Sequence, residues 1–134
     1  MRNWKRIFQS GAGSGLYTVS GTKELARVTQ AAEASGLTVI RIDLAGVGDK
    51  PGLLKATAES LHFPEYFGMN WDALEECLTD LSWLQAKGHV LYFSGVSKFF
   101  EAAPKEMLTF RHILEVAATY WKGKTAQFYV LMNG

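Results

Sequence analysis

Side chains able to do chemistry are few in this chain of 134 residues, and they lie far apart. His62, His89 and His112 have no partners at metal-ligand spacing such as His-Glu-x-x-His. An isolated histidine is ordinarily a surface or hydrogen-bonded residue. Cys77 is the one cysteine, so neither an internal disulfide nor a multi-cysteine zinc site can form. It falls beside Leu74, Leu78 and Leu81, where a thiol packs as a small apolar group and is not a nucleophile. Gly11-Ala12-Gly13-Ser14-Gly15 lacks the Gly-Lys-Ser/Thr ending of a phosphate loop, and it precedes a strand where such a loop would follow one. Ser94-Gly95 is only an echo of a nucleophile turn, without the full Gly-x-Ser-x-Gly elbow. These observations point to no catalytic residues, no metal and no cofactor, and the chain reads as a non-enzyme.

The carboxylates are arranged differently. Between Ala56 and Ala86 stand Glu59, Glu65, Asp72, Glu75, Glu76 and Asp80, with no Lys or Arg, although the whole chain carries 14 basic and 13 acidic residues. At about 100° per residue, Asp72, Glu75, Glu76 and Asp80 share one side of a helix with Thr79, and Trp71, Leu74, Cys77, Leu78 and Leu81 share the other. An acidic stripe opposite an apolar one is also what an ordinary surface helix shows, and acids in a first turn complement the helix dipole. The preceding loop sets this helix apart. Phe63-Pro64-Glu65-Tyr66-Phe67-Gly68-Met69-Asn70-Trp71 gathers four aromatics where surface is expected, as a protein-binding hot spot would. Some of these rings must anchor the loop, Trp71 above all. Gly68 serves either backbone geometry or contact, and Asn70 serves either as a helix cap or as a contact.

The elements that must position this region follow from periodicity and punctuation. Residues 1–14 read as a flexible leader, and 15–134 as one domain. A strand is expected at Leu16–Val19, then a helix from a Thr22 cap to about Ser35, ended by Gly36. The β-branched run Leu37–Leu44 reads as a strand inside the sheet. A helix at Pro51–Leu61 stops ahead of Pro64. Asn70 caps a helix from Trp71 to about Leu84. Val90–Phe93 is a central strand, Pro104 opens a helix to about Trp121, and Gln127–Leu131 is the last strand. Helices alternating with short apolar strands argue for an α/β fold, a small, mainly parallel sheet layered with helices.

Composition bounds the function further. With 48% hydrophobic and 20% charged residues, the chain has the balance of an ordinary globular domain. A net charge of +1 lacks the basic excess of a nucleic-acid binder. The basic first residues are not followed by the apolar stretch of a signal peptide, and no run approaches the roughly 18 apolar residues of a membrane span. A soluble, cytoplasmic protein is expected, and the lone cysteine fits a reducing compartment.

The run Phe63–Leu81 closely resembles the signature of the barstar family of ribonuclease inhibitors, Pro-x-Tyr-[Tyr/Phe]-Gly-x-Asn-x-Asp-Ala-Leu-x-[Asp/Glu]-Cys-Leu. Ile42-Asp43-Leu44, and the late helix ending in Ala117, Ala118 and Trp121, are similar to the longer barstar-like proteins. The resemblance implies a loop–helix face that plugs the active site of a secreted ribonuclease. Such a cleft is cationic because it holds RNA phosphates, so carboxylates can occupy the phosphate positions. Carried over by position, Tyr66, Phe67, Gly68, Asn70 and Asp72 fall in the binding segment, and Glu76 takes the place of its key aspartate. Glu75 stands where the archetype has tryptophan, Leu81 replaces another aromatic, and the archetype is far more acidic overall.

Three functions are therefore weighed. The first is an intracellular immunity protein that blocks a cationic ribonuclease-like toxin through Tyr66, Phe67, Gly68, Asn70, Asp72, Glu75 and Glu76. The second is the same fold with a different protein partner and a regulatory role. The third, nucleic-acid binding through Arg2, Lys5, Arg6, Lys122 and Lys124, is weakened by their scatter over both ends of the chain.

Overall fold

A computed structural model describes residues 2–10 and 14–134. Its two most apolar strands, β3 (Gly88–Ser94) and β4 (Gln127–Asn133), are buried along nearly their whole length. Both of their faces must therefore be covered, as in a parallel sheet between helical layers. Strand β2 (Thr38–Asp43) pairs with β3 and β1 (Gly15–Thr18) pairs with β4, giving the order β1-β4-β3-β2 with every pair parallel. Because side chains alternate along a strand, each central strand feeds two cores. Leu91, Phe93, Phe128, Val130 and Met132 meet one helical layer. Val90, Tyr92, Tyr129 and Leu131 meet the other.

The first layer holds α3 (Lys50–Ser60), α4 (Trp71–Leu78), α5 (Ser97–Ala102) and α6 (Pro104–Trp121). The second holds α1 (Trp4–Gln9) and α2 (Gly21–Ala34). The α/β arrangement with a parallel sheet expected from sequence is therefore present. Gly36 has φ +79 and ends α2 as read. Asp49 caps α3 through Gly52 N–H at 2.8 Å, with Pro51 in the first turn.

Four expectations are corrected. Residues 4–9 are not part of a flexible leader. Asn3 caps α1 through Arg6 N–H, and the i, i+4 pair Trp4 and Phe8 is 3% and 1% exposed. Their rings meet Tyr17 and Tyr129 at 5.3 and 4.9 Å, so aromatic burial outweighs the short length of this helix. Gly11, Ala12 and Gly13 lie outside the described residues, while Ser14 Oγ accepts the Phe128 N–H at 3.2 Å.

Strand β2 lies at a sheet edge, not inside. Its β-branched residues favour a strand without fixing its position, and Thr38, Arg41 and Asp43 face solvent. The cap position of α2 is Ser20, not Thr22, and there Glu24 accepts the Ser20 N–H at 2.9 Å. The fourth correction concerns α4, which ends at Leu78 and not near Leu84. Thr79 Oγ1 donates back to Glu75 O at 2.8 Å, and Leu81 has φ +52. Leu81 is 2% exposed, so its burial offsets the cost of a left-handed backbone for a residue with a Cβ.

Helix α5 was not expected. It follows Gly95, whose φ is +69 and where a Cβ would sit 2.7 Å from Ala45 N. Glycine at this turn is thus required by chain packing rather than by chemistry at Ser94.

Candidate partner-binding face

The loop between α3 and α4 is held from beneath. His62 adopts φ +53, and Phe63 N–H bonds Ala58 O at 2.9 Å, which closes the end of α3. Phe63 then packs edge-on against Phe67 and Trp83 at 4.9 and 5.8 Å, and Trp83 Nε1 donates to Leu61 O at 2.9 Å. Phe67 N–H returns to Pro64 O at 3.0 Å. With Phe63 and Phe67 turned inward and half-buried, Tyr66 is left 74% exposed and Met69 46% exposed.

Asn70 joins the loop to the helix. Its Oδ1 accepts Ala73 N–H at 2.8 Å, and its Nδ2 donates to Gly68 O at 3.2 Å. Both ends of the amide are used, so Asn70 is a cap and a clamp on the loop. A Cβ on Gly68 would lie 3.1 Å from Asn70 Nδ2, so glycine there gives the clamp room. Met69, between them, adopts φ +53, a strained conformation held by its neighbours.

Helix α4 then separates its two faces. Leu74, Cys77 and Leu78 are buried, Asp72, Glu75 and Glu76 are exposed, and Asp80 is exposed in the turn that follows the helix. Among the described residues none of these acids has an ion-pair partner; the salt bridges are Arg2–Glu24 and Arg111–Glu115. Their charges are therefore not neutralised within the fold. Trp71 is half-buried and carries Lys50 Nζ 5.0 Å from its ring centroid. Burial, with added repulsion from Asp80 and Glu76, pushes the Cys77 thiol up, which keeps it protonated and unreactive at neutral pH.

The expected site residues thus fall on one continuous surface. Tyr66, Gly68, Asn70, Asp72, Glu75 and Glu76 are exposed, and Phe67 supports them from below. Met69 went unremarked in sequence reasoning, though a large apolar residue between Gly68 and the Asn70 cap was a usable signal. Leu81 is buried and offers the surface nothing. The histidines stay apart: His62 is exposed in the loop, His112 is exposed on α6, and His89 is buried in β3. Among the described residues, no group of three or more His, Cys, Asp or Glu could hold a metal ion. No helix among them is long and apolar enough to cross a membrane. The basic residues Arg2, Lys5 and Arg6 lie at α1, and Lys122 and Lys124 follow α6, so the two groups belong to opposite helical layers.

Comparison with known proteins bears on this face. The family described as Barstar (barnase inhibitor) matches residues 37–133, which include the whole loop and α4. No curated protein matches the chain. Among solved structures, the chain is similar to the structure of the Aeropyrum pernix ORC2 protein (ADPNP-ADP complexes), with a TM-score of 0.60 and 17% identity. That match covers 97% of this chain and spans 38% of the other, and at such identity it shows the fold alone.

Proposed function

This chain belongs to the barstar family, and on that premise we propose that it is a cytoplasmic immunity protein that binds and blocks a ribonuclease-like toxin. The observation that carries the reading is the row of exposed carboxylates on α4, without ion-pair partners among the described residues, beside the exposed ring of Tyr66. A ribonuclease must present cations to RNA phosphates. Asp72, Glu75 and Glu76 offer oxygens to the same cations, and Tyr66 and Met69 supply apolar contact that excludes water around them. Inhibition then follows from occupancy, with no catalytic step on this chain. The loop anchored by Phe63, Phe67 and Asn70 is ordered before binding, which lowers the entropic cost of association.

The test is calorimetric titration against a barnase-type ribonuclease, with RNA cleavage followed in parallel. Tight binding that abolishes cleavage, and that weakens in Glu76→Ala, is the expected result. No heat and undiminished cleavage would overturn it. A second reading keeps the face and changes the partner to a regulatory protein. The exposed Glu75, where the archetype has tryptophan, favours it. Neutralisation of a nuclease encoded by a neighbouring gene would decide for the first reading.

A further inference from the structure

We propose that the groove between α1 and α2 is a binding site for a multiply charged phosphate compound. The groove has a volume of about 540 Å³ and is lined by Arg2, Lys5, Arg27, Asn3, Trp4 and Gln30, with two alanines. The groove is open to solvent and not enclosed, so charge and not burial must hold a ligand there. Three of the lining side chains are cations and none is a carboxylate.

These cations divide the work. Arg2 is fixed: its Nη1 donates to Thr18 O at 2.6 Å and lies 3.6 Å from Glu24. Its guanidinium also sits 5.3 and 5.5 Å from the ring centroids of Trp4 and Tyr17. Lys5 and Arg27 are exposed and have no ion-pair partner among the described residues, so they are free to close on an anion. Trp4 is only 3% exposed, and its indole Nε1 has no hydrogen-bond partner among the described residues. That nitrogen is closed off from solvent, so it reports on the groove that Trp4 lines and does not itself hold the ligand.

A phosphate compound meets these demands together, because it supplies several acceptor oxygens and more than one negative charge. The aromatic rings here, Trp4 and Phe8, are buried. They leave no platform on which a base could stack, so the groove favours phosphate over single-stranded RNA. All its lining residues precede residue 37, where the family match begins. They also lie in the helical layer across the sheet from α4. The site is therefore independent of the inhibitory face.

The test is titration of the ¹⁵N-labelled full chain with inorganic tripolyphosphate at constant ionic strength, following the Trp4 indole N–H resonance identified through Trp4→Phe. A saturable shift is expected. The apparent affinity should fall by about ten-fold or more in Lys5→Glu and in Arg27→Glu, two exposed sites at which the melting temperature, measured alongside, should stay native. Absence of a saturable shift overturns the proposal. So does an affinity in both variants equal to that of the unsubstituted chain, or the same response to sodium chloride of matched ionic strength. Binding of a single-stranded RNA oligonucleotide without binding of tripolyphosphate also overturns it, and would give the groove to RNA.

Discussion

Trp121 donates its indole N–H to the backbone carbonyl of Leu78 at 2.8 Å, joining the end of α6 to the last residue of α4. The final carbonyls of a helix have no partner within it, so this side chain closes the helix that carries the acidic row. The helix itself ends through Thr79 and the left-handed Leu81, and Trp121 meets one of the carbonyls left open there. Trp121→Phe keeps an aromatic ring beside Phe128 and removes the donor with part of the indole's packing surface. It should cost about 1 kcal/mol, read as a lower urea midpoint at an unchanged slope. An unchanged midpoint would mean that water replaces the bond without loss.

The acidic row makes a kinetic prediction for the proposed ribonuclease complex. Exposed charges steer encounter, so Asp72→Asn combined with Glu76→Gln should lower the association rate and flatten its dependence on salt. The melting temperature should move little, because these acids make no ion pair among the described residues and the first-turn position of Asp72 contributes only modestly. Stopped-flow association at several ionic strengths checks this. An unchanged rate and salt slope would show that other charges steer the encounter.

Much of this architecture was legible from residue patterns. Pro104 marked the start of α6, and the dense apolar segments around Val90 and Phe128 marked a central strand and the last strand. The exposed acidic face of α4 was legible for a related reason, because Asp72, Glu75 and Glu76 after the Asn70 cap fall at helical spacing opposite Leu74, Cys77 and Leu78. What stayed hidden depends on contacts distant in sequence. The carbonyl at the end of α4 is met by Trp121, 43 residues further on, and the edge position of β2 depends on which strand β4 joins. The first helix has too few residues to show a period, and the glycines that follow it concealed the Trp4–Phe8 pair.

That pair supports a second stability test. Phe8 is 1% exposed and packs edge-on against Tyr129 at 4.9 Å, while Tyr129 Oη donates to Ile7 O at 3.3 Å. Phe8→Ala should therefore cost about 3–5 kcal/mol, as for a core aromatic. Denaturant unfolding measures it directly. A change below 1 kcal/mol, which is about the scale of a surface substitution, would return residues 4–9 to the status of a loose leader.

His89 makes stability depend on pH in a definite direction. It is 4% exposed in β3, and its Nε2 has no hydrogen-bond partner among the described residues. Burial pushes its pKa below the ordinary 6.5, because a desolvated imidazolium is unfavourable. Between the folded and unfolded values the unfolded chain binds more protons, so stability rises with pH across that window. The contribution is complete above about 6.5 and is lost as pH falls from there toward the folded value. Thermal melts at pH 7.5 and 5.5 should show a lower midpoint in acid. His89→Phe, which keeps an aromatic ring without a titrating nitrogen, should reduce that difference. An identical acid shift in the variant would assign the effect to carboxylates and leave His89 a bystander.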